Sequence, residues 1–271
     1  MTFVELQAAF ELEINQIDAN LEKPKSVDIE YWLNRGLEKF YKTRYTGVNY
    51  RGLGFEQDQK RIDDLRTLVC TKHFDLDEET WYLVQENSSK IKLDLRSSIN
   101  LEDIPLGKVH AASNSSFYLR LPVDYVFLLG DSSGIVPTRK EDIKCAQKDE
   151  NGNIIPWRDD TIEVTVETLD KQLRNSLSEH HIKYNRARPL RMIQENKILL
   201  FTDGNYKVKE YTITYLRKPK QIDIHTHPHD KYTDMPEHTH SEIVKLATQM
   251  YLENQTNNRY NTYSNEVSAM E

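Results

Sequence analysis

Cysteine is scarce in this sequence, because only Cys70 and Cys145 occur among 271 residues. Two cysteines cannot build the disulfide framework of a small secreted domain, so a reducing compartment is expected. Glycine is sparse as well, with nine residues. That scarcity argues against a glycine-rich nucleotide-binding architecture.

Long apolar runs and a basic excess are also missing. No stretch approaches the roughly 20 apolar residues that cross a membrane, and the acidic, amphipathic N-terminus is unlike a signal peptide. Lysine plus arginine number 36 and aspartate plus glutamate 43, a net charge of -7. No global basic footprint for nucleic acid is present. We expect a soluble globular protein, made inside the cell, with no membrane partner.

Helical periodicity is present at both ends of the chain. Near the N-terminus, apolar residues recur every three or four positions, as on one face of a helix: Phe3, Leu6, Phe10, Ile14, Ile17 and Leu21. A second helix is predicted from its N-cap Asp28, with a buried face of Ile29, Trp32, Leu33, Leu37 and Phe40. A third is predicted over residues 62–69, with Cys70 in the core at its end. Pro236 precedes a last helical pattern.

Alternating apolar residues predict strands in the middle of the chain. They cover residues 91–95, 117–121, 125–129 and 162–166. Residues 197–217 resemble a hairpin around the turn Asp203-Gly204-Asn205, and a short helix is predicted over residues 169–177.

The order helix, strand, helix predicts an α+β fold. Its N- and C-terminal helices are expected to form one helical layer, and its central region to be mainly antiparallel β. We predict a helical domain of residues 1–72 with 236–256, a β-rich domain of residues 73–235, and an extended tail of residues 257–271. The tail is rich in polar residues and has too little apolar content to fold alone.

Histidine forms the most conspicuous cluster. Five of the nine histidines fall in one short segment among several carboxylates: His225, His227, His229, His238 and His240. Imidazole with carboxylate is a typical ligand set for zinc. However, an amidohydrolase-type barrel, which also begins with an H-x-H strand, would need far more chain after it. A polar loop is the favoured interpretation, and a metal site or a pH-sensitive interface are the alternatives.

The other motifs of catalytic sites are incomplete. Glu179-His180-His181 lacks the first histidine of H-x-x-E-H, because position 176 is Ser176. The glycine-containing segment 47–54 lacks the Gly-Lys-Ser/Thr of a phosphate loop, and no G-x-S-x-G turn occurs. We therefore predict no catalytic residue, no metal ligand and no cofactor, and expect a protein that is not an enzyme.

One basic stretch contains Lys183, Arg186, Arg188 and Arg191 with Tyr184 among them, and a second contains Arg217, Lys218 and Lys220. Arginine beside an aromatic ring can bind phosphate and stack on bases. Because the net charge is negative, contact with an acidic partner protein or with a neighbouring copy of the chain is the favoured interpretation.

Three stretches resemble a known family of phage proteins. They are LNRGLEKFYKTRYTG (residues 33–47), FYLRLPVDYVFLLG (117–130), and YTITYLRKPKQIDI (211–224) followed by MPEHTHSEIVKLATQMYLENQTNNRY (235–260). In their order they resemble the structural proteins of the head-to-tail region in crAss-like and related tailed phages. In that family a strand ending in Arg-Lys-Pro precedes a proline-capped helix.

The resemblance implies a virion protein that is made in the bacterial host cytoplasm and sits at the head-tail junction. It implies a connector ring, commonly twelvefold, that continues the DNA channel below the portal. The implied partners are the portal protein, adjacent connector or tail proteins, and double-stranded DNA passing through the lumen without sequence-specific binding. The family has no active-site residue to carry over, and it does not require the histidine-rich insert from His225 to Asp230.

Two other functions stay open. A metal-dependent hydrolase would use the cluster between His225 and His240. A nucleic-acid-binding accessory protein would use the stretch from Lys183 to Arg191, and its affinity would depend strongly on salt.

Overall fold

A computed structural model describes residues 1–17, 23–46, 55–86, 107–139, 143–144, 146–255, 263–265 and 267. The fold is α+β, as predicted. The chain divides into two compact units, which we call the helical unit (Met1–Val69 with Lys218–Glu271) and the sheet unit (Cys70–Arg217).

Six α-helices of seven or more residues and nine strands belong to the described chain. The helices are α1 (Phe3–Ile17), α2 (Ser26–Thr46), α3 (Gln59–Leu65), α4 (Glu78–Glu86), α5 (Val166–Arg174) and α6 (His240–Asn254). The strands are β1 (Val69–Leu76), β2 (Lys108–Ser113), β3 (Ser116–Arg120), β4 (Tyr125–Pro137), β5 (Trp157–Asp159), β6 (Ile162–Glu163), β7 (Leu190–Gln194), β8 (Lys197–Phe201) and β9 (Tyr206–Arg217). Short 3-10 turns cover Phe55–Gln57, Arg66–Leu68 and Glu237–Thr239.

The helical unit packs α1 and α2 against α6, so helices from both chain ends meet in one layer. The predicted apolar face of α1 is buried at Phe3, Leu6, Phe10 and Ile14. α2 begins at Ser26, two residues before the predicted cap. A Cβ atom added at Gly36 of α2 would lie 2.8 Å from the Cβ of Ala247 on α6. Glycine therefore permits the close approach of these two helices.

Residues 218–235 belong to the helical unit, although the sequence assigned them to the β-rich domain. Asn34 of α2 accepts a hydrogen bond from the Ile222 N–H (2.8 Å) and donates one to the Ile222 carbonyl (2.9 Å). No periodic pattern in the sequence indicates this contact between Asn34 and the backbone of Ile222. Of the tail predicted as extended, only residues 263–265 and 267 are described, and Tyr263 and Val267 are buried beside Leu252.

The sheet unit contains one nine-stranded sheet in the order β5-β4-β9-β1-β2-β3-β8-β7-β6. The pairs β1–β2 and β6–β7 are parallel, whereas β4–β9, β4–β5, β2–β3, β3–β8 and β7–β8 are antiparallel. Its largest core cluster includes Phe74, Trp81, Phe117 and Ile213, and the ring of Trp81 on α4 stacks on Phe117 at 5.7 Å between centroids.

The sheet curls so that its two ends come together. β5 and β6 are the first and last strands of the order, yet only Asp160 and Thr161 separate them in the chain. Because each residue spans at most about 3.6 Å, the two edge strands must be neighbours in space.

Several local predictions for this region are wrong. Residues 197–217 do not form a hairpin, because β8 lies between β3 and β7 whereas β9 lies between β4 and β1. The turn at Asp203 exists, but it connects two distant parts of the sheet. The strand predicted over residues 162–166 stops at Glu163, since the Thr165 hydroxyl accepts from the Thr168 N–H and caps α5. Cys70 lies in β1, not at a helix end.

Two other predictions fall on residues that the structure does not describe, namely the strand at residues 91–95 and the glycine-containing segment 47–54, and Cys145 is also outside the described residues. Within the described ranges, no helix is both long and apolar enough to cross a membrane.

Candidate functional site

The histidine-rich segment has two different environments in the helical unit. His225, His227 and His229 are exposed. The carboxylate of Asp223 accepts hydrogen bonds from the N–H groups of Thr226 and His225, and these bonds lower its pKa. The nearest carboxylates to the first two rings are different ones, with Nε2 of His225 3.9 Å from Glu30 and Nδ1 of His227 3.7 Å from Asp230.

The two later histidines face other groups. His238 lies 2.9 Å from the Asp64 carboxylate through its Nε2 atom. His240 is fully buried and lies 3.1 Å from the Met235 carbonyl, and burial lowers the pKa of its imidazole. The rings of His225, His227, His238 and His240 therefore contact different groups. No group of three or more histidine, cysteine or acidic side chains suited to a metal ion occurs in the part of the chain that the structure describes. The hydrolase function stays a prediction.

A buried ion cluster joins three helices of the helical unit. Arg44 near the end of α2 contacts Asp64 of α3, with 3.1 Å between Nε and Oδ2, and also contacts Glu242 of α6. Lys60 lies 3.2 Å from the other oxygen of Glu242. Asp64 is fully buried, so desolvation raises its pKa, and the hydrogen bond from His238 and the charge of Arg44 oppose that rise. The cluster holds the helix ends together.

A second buried cluster, which we call the closure cluster, lies where the sheet curls onto itself. Asp131 of β4 lies 3.2 Å from the Arg191 guanidinium of β7 and accepts a hydrogen bond of 2.7 Å from the Tyr211 hydroxyl of β9. The Thr161 hydroxyl also donates to Asp131. Burial, together with the Asp131 charge, raises the pKa of Tyr211 well above its usual value. Because β4 and β7 are next to opposite ends of the strand order, this cluster spans the closure.

The predicted basic stretch divides into paired and unpaired residues. Arg188 binds Glu179 at 3.0 Å, and Arg191 belongs to the closure cluster. Arg186 instead lies over the ring of Trp157, 4.6 Å from its centroid. Neither Arg186 nor Lys183 has a carboxylate partner among the described residues. In the second basic stretch, Lys218 and Lys220 are exposed.

The unpaired residues lie around a tight turn. Lys183 and Arg186 exchange two backbone hydrogen bonds of 2.9 Å, and the two residues between them, Tyr184 and Asn185, have φ angles of 52° and 64°. A two-residue turn with both φ values positive normally selects Asn-Gly. Here a tyrosine occupies the strained position, and its side chain is 96% exposed.

Beside this turn is an open groove, which we call the Arg186 groove. It has a volume of about 170 Å³, and its walls include Ile135, Pro137, Ile155, Pro156, Trp157 and Arg186. The groove thus combines an apolar floor with a cationic rim. We take it, with Lys183 and Tyr184, as the candidate functional site.

Sequence reasoning identified the basic half of this site and missed the apolar half. Trp157 and Ile155 are 38% and 49% exposed. In the sequence, Ile155 and Trp157 are only single apolar residues on either side of Pro156 in a short polar region. Such residues are too common on protein surfaces to indicate a site.

The neighbouring pair His180 and His181 has no catalytic partner set in the described structure. Their ring centroids are 3.9 Å apart and the ring planes are tilted by 39°, and His180 is buried. The Tyr206 hydroxyl donates to the His180 carbonyl at 2.8 Å. Burial is the main reason that the pKa of His180 is lowered, and the adjacent His181 lowers it further.

No model of a protein family matches the chain, and a search of curated proteins finds no significant match.

Proposed function

We propose that this chain is a virion structural protein, one subunit of a head-to-tail connector ring. The ring would lie below the portal, link the capsid to the tail and continue the channel through which double-stranded DNA passes. The proposal assigns no catalytic residue.

The observation that carries the proposal is how the three family-like stretches meet in the fold. The first lies in α2 and the end of the third forms α6, and these helices pack together with Gly36 against Ala247. The second contributes β3 and β4, and the start of the third forms the end of β9. Tyr125 of β4 pairs with Arg217 of β9, and the Tyr215 hydroxyl donates to Asp124 at 3.0 Å.

Stretches that are far apart in sequence therefore contact one another in pairs. Such pairing means that the three stretches help to determine which elements pack together in each unit. The family resemblance concerns these same elements, so the proposal rests on parts of the chain that shape the fold.

The charge of the chain is also compatible with a DNA channel. Proteins that hold DNA do so mainly through lysine and arginine contacts to phosphate, whose affinity depends strongly on salt. A subunit with a net charge of -7 suits a channel along which DNA slides. A closed ring also needs two different complementary surfaces on each subunit.

Quantitative peptide mass spectrometry on purified, DNA-filled particles of the encoding phage tests the proposal. The copy number, scaled to the portal protein, is expected to equal that of the portal. Absence from the particle would overturn the proposal. Deletion of the gene gives a second readout, because DNA-filled heads without finished tails are expected, whereas infectious tailed particles would contradict a connector role.

A further inference from the structure

The sheet unit carries a second exposed surface whose chemistry complements the Arg186 groove. It lies on α4, where Glu79 and Leu83 are one helical turn apart and so share a face. Both are exposed, Leu83 by 53%. Glu78 is already bound to Lys207 at 3.1 Å, but Glu79 has no basic partner among the described residues. We call Glu79 and Leu83 the α4 ridge.

The ridge and the groove differ in sign and in shape. The ridge presents one carboxylate beside one protruding aliphatic side chain. The groove presents Arg186, which has no carboxylate partner among the described residues, beside an apolar floor, and Lys183 lies at the other end of the adjoining turn. A cavity of about 150 Å³ holds a benzene molecule, so the 170 Å³ of the groove is enough for a leucine side chain.

The ridge and the groove are different patches of the sheet unit and share no residue. The ridge lies on α4, whereas the groove is lined by residues of β4, by residues 155–157 and by the turn that contains Arg186. Glu78, next to the ridge, contacts Lys207 of β9 and not a residue of the groove.

We propose that the α4 ridge of one copy of the chain docks into the Arg186 groove of a second copy. Leu83 would fill the apolar floor and Glu79 would pair with Arg186. Because the two surfaces are different patches of the chain, the contact is heterologous. Repetition of such a contact builds a ring or a filament and not a closed pair.

The strained turn supports an intermolecular use of this surface. Tyrosine in the left-handed region costs free energy that the isolated chain does not recover, since Tyr184 is 96% exposed. At the rim of the groove, this ring would cover the docked α4 ridge.

The docking contact rests on the proposed function, because it would be the interface between neighbouring subunits of the connector ring. Its test uses only purified protein and is therefore separate from the virion copy number. A chain absent from particles could still show the contact, and a chain present in particles could lack it.

Photo-crosslinking locates the contact. Full-length chain carrying benzoylphenylalanine at Tyr184 is mixed with ¹⁵N-labelled wild-type chain at high concentration and irradiated. We expect mixed-isotope crosslinks to the tryptic peptide 73–90, which contains Glu79 and Leu83. Crosslinks to a different peptide, or none up to the solubility limit, would overturn the proposal. So would preferential crosslinking to added single-stranded DNA.

Charge reversal tests the pairing itself. Arg186→Glu and Glu79→Arg are each expected to weaken self-association at least tenfold in sedimentation velocity, and mixing the two variants is expected to restore it. Both residues are exposed, so folding should be unchanged, which circular dichroism verifies. Lys171→Glu, at an exposed site of α5, controls for the change in net charge. Loss without recovery in the mixture would refute the assigned pair.

Discussion

The helical unit and the sheet unit each bury an arginine–carboxylate pair, but the two pairs act at different levels of the fold. In the helical unit, Arg44 of α2 contacts Asp64 of α3 and Glu242 of α6, whereas the close approach of α2 to α6 is made elsewhere, by Gly36 against Ala247. In the sheet unit, Arg191 and Asp131 themselves connect strands from opposite ends of the sheet. The Arg44–Asp64 pair reinforces the packing of helices, and the Arg191–Asp131 pair joins the two ends of the curled sheet.

This difference follows from what holds each unit together. Helices pack through apolar residues that recur every three to four positions, so many separate contacts determine how the helices pack. Closure of a curled sheet needs contacts between residues far apart in sequence. A buried ion pair adds little net stability because desolvation offsets its attraction, yet loss of one partner is costly. A buried ion pair therefore favours one closed arrangement of the sheet over others, although it adds little to the free energy of unfolding.

The largest expected effect is at the closure cluster. Asp131→Ala leaves the buried Arg191 guanidinium without its main partner and the Tyr211 hydroxyl without its acceptor. Removing one member of a buried pair costs about 3–5 kcal/mol. Hydrogen exchange should show the loss in peptides of the sheet unit, and urea unfolding gives its size.

Glu163→Gln is the matched control, because Glu163 binds the same arginine at 3.1 Å but is 77% exposed. An exposed pair is worth about 0–1 kcal/mol. If the two variants had equal effects, the closure cluster would not differ from an ordinary surface pair and the comparison between units would fail.

A smaller loss is expected at the helix contact. In Gly36→Ala, the new Cβ would lie 2.9 Å from backbone atoms of Ala247 and Ile243, which cannot easily move. Overpacking costs about 1–3 kcal/mol, and the better helix propensity of alanine returns about 1 kcal/mol. We expect a net loss of up to about 2 kcal/mol, confined to the helical unit in hydrogen exchange.

Gly130→Ala provides the counterpart in the sheet unit. An added Cβ there meets no atom within 4 Å, so the variant should be neutral or slightly more stable. A destabilised Gly130→Ala protein with an unchanged Gly36→Ala protein would reverse the assignment of close packing to the helical unit.

Acid should weaken both units through one buried histidine in each. Burial lowers the pKa of His240 in the helical unit and of His180 in the sheet unit. The unfolded chain, with a histidine pKa of about 6.5, then binds more protons than the folded one. Stability is therefore full above this pH and falls as pH decreases below it, by up to about 1.4 kcal/mol per pH unit for each histidine.

The variants His240→Gln and His180→Gln separate the units. Each is expected to flatten the pH dependence between pH 7.5 and 5.5 in its own unit only, measured by hydrogen exchange. Asp64 acts in the opposite direction, since its raised pKa means that its contribution declines as pH rises through the folded value. Comparison of wild type with His240→Gln cancels that contribution. An unchanged slope in both variants would assign the acid sensitivity to other groups.

The sequence foretold the helical unit better than the sheet unit, for a physical reason. The buried face of α1 and the core residues Leu33 and Phe40 of α2 follow from local spacing alone. The strands β3 and β4 were also located correctly. Their partners were not, because the hairpin expected after Lys197 ignored competition from distant strands, and β8 pairs with β3 and β7.

The candidate site shows the same limit. Lys183 and Arg186 stand out in the sequence as a basic stretch, but nothing local says that Arg188 and Arg191 are already neutralised. Nor does the sequence reveal that Trp157 lies under Arg186. Such pairings arise only when the curled sheet brings separate loops together. The sequence therefore shows where the charged residues are, but only the tertiary structure shows which of them have a carboxylate partner.

The smallest expected effects concern exposed ion pairs, which should be alike in the two units. Lys42 binds Glu38 at 2.6 Å on α2 and lowers its pKa, and Arg158 binds Glu210 at 2.6 Å on the sheet. Double-mutant cycles should give coupling energies of about 0.3–0.5 kcal/mol for the helix pair and at most about 1 kcal/mol for the other, both reduced by salt. A coupling energy well above these values in only one unit would mean that the two units differ in their surface ion pairs and not in their buried pairs. Similar small values would assign the difference between the units to their interiors.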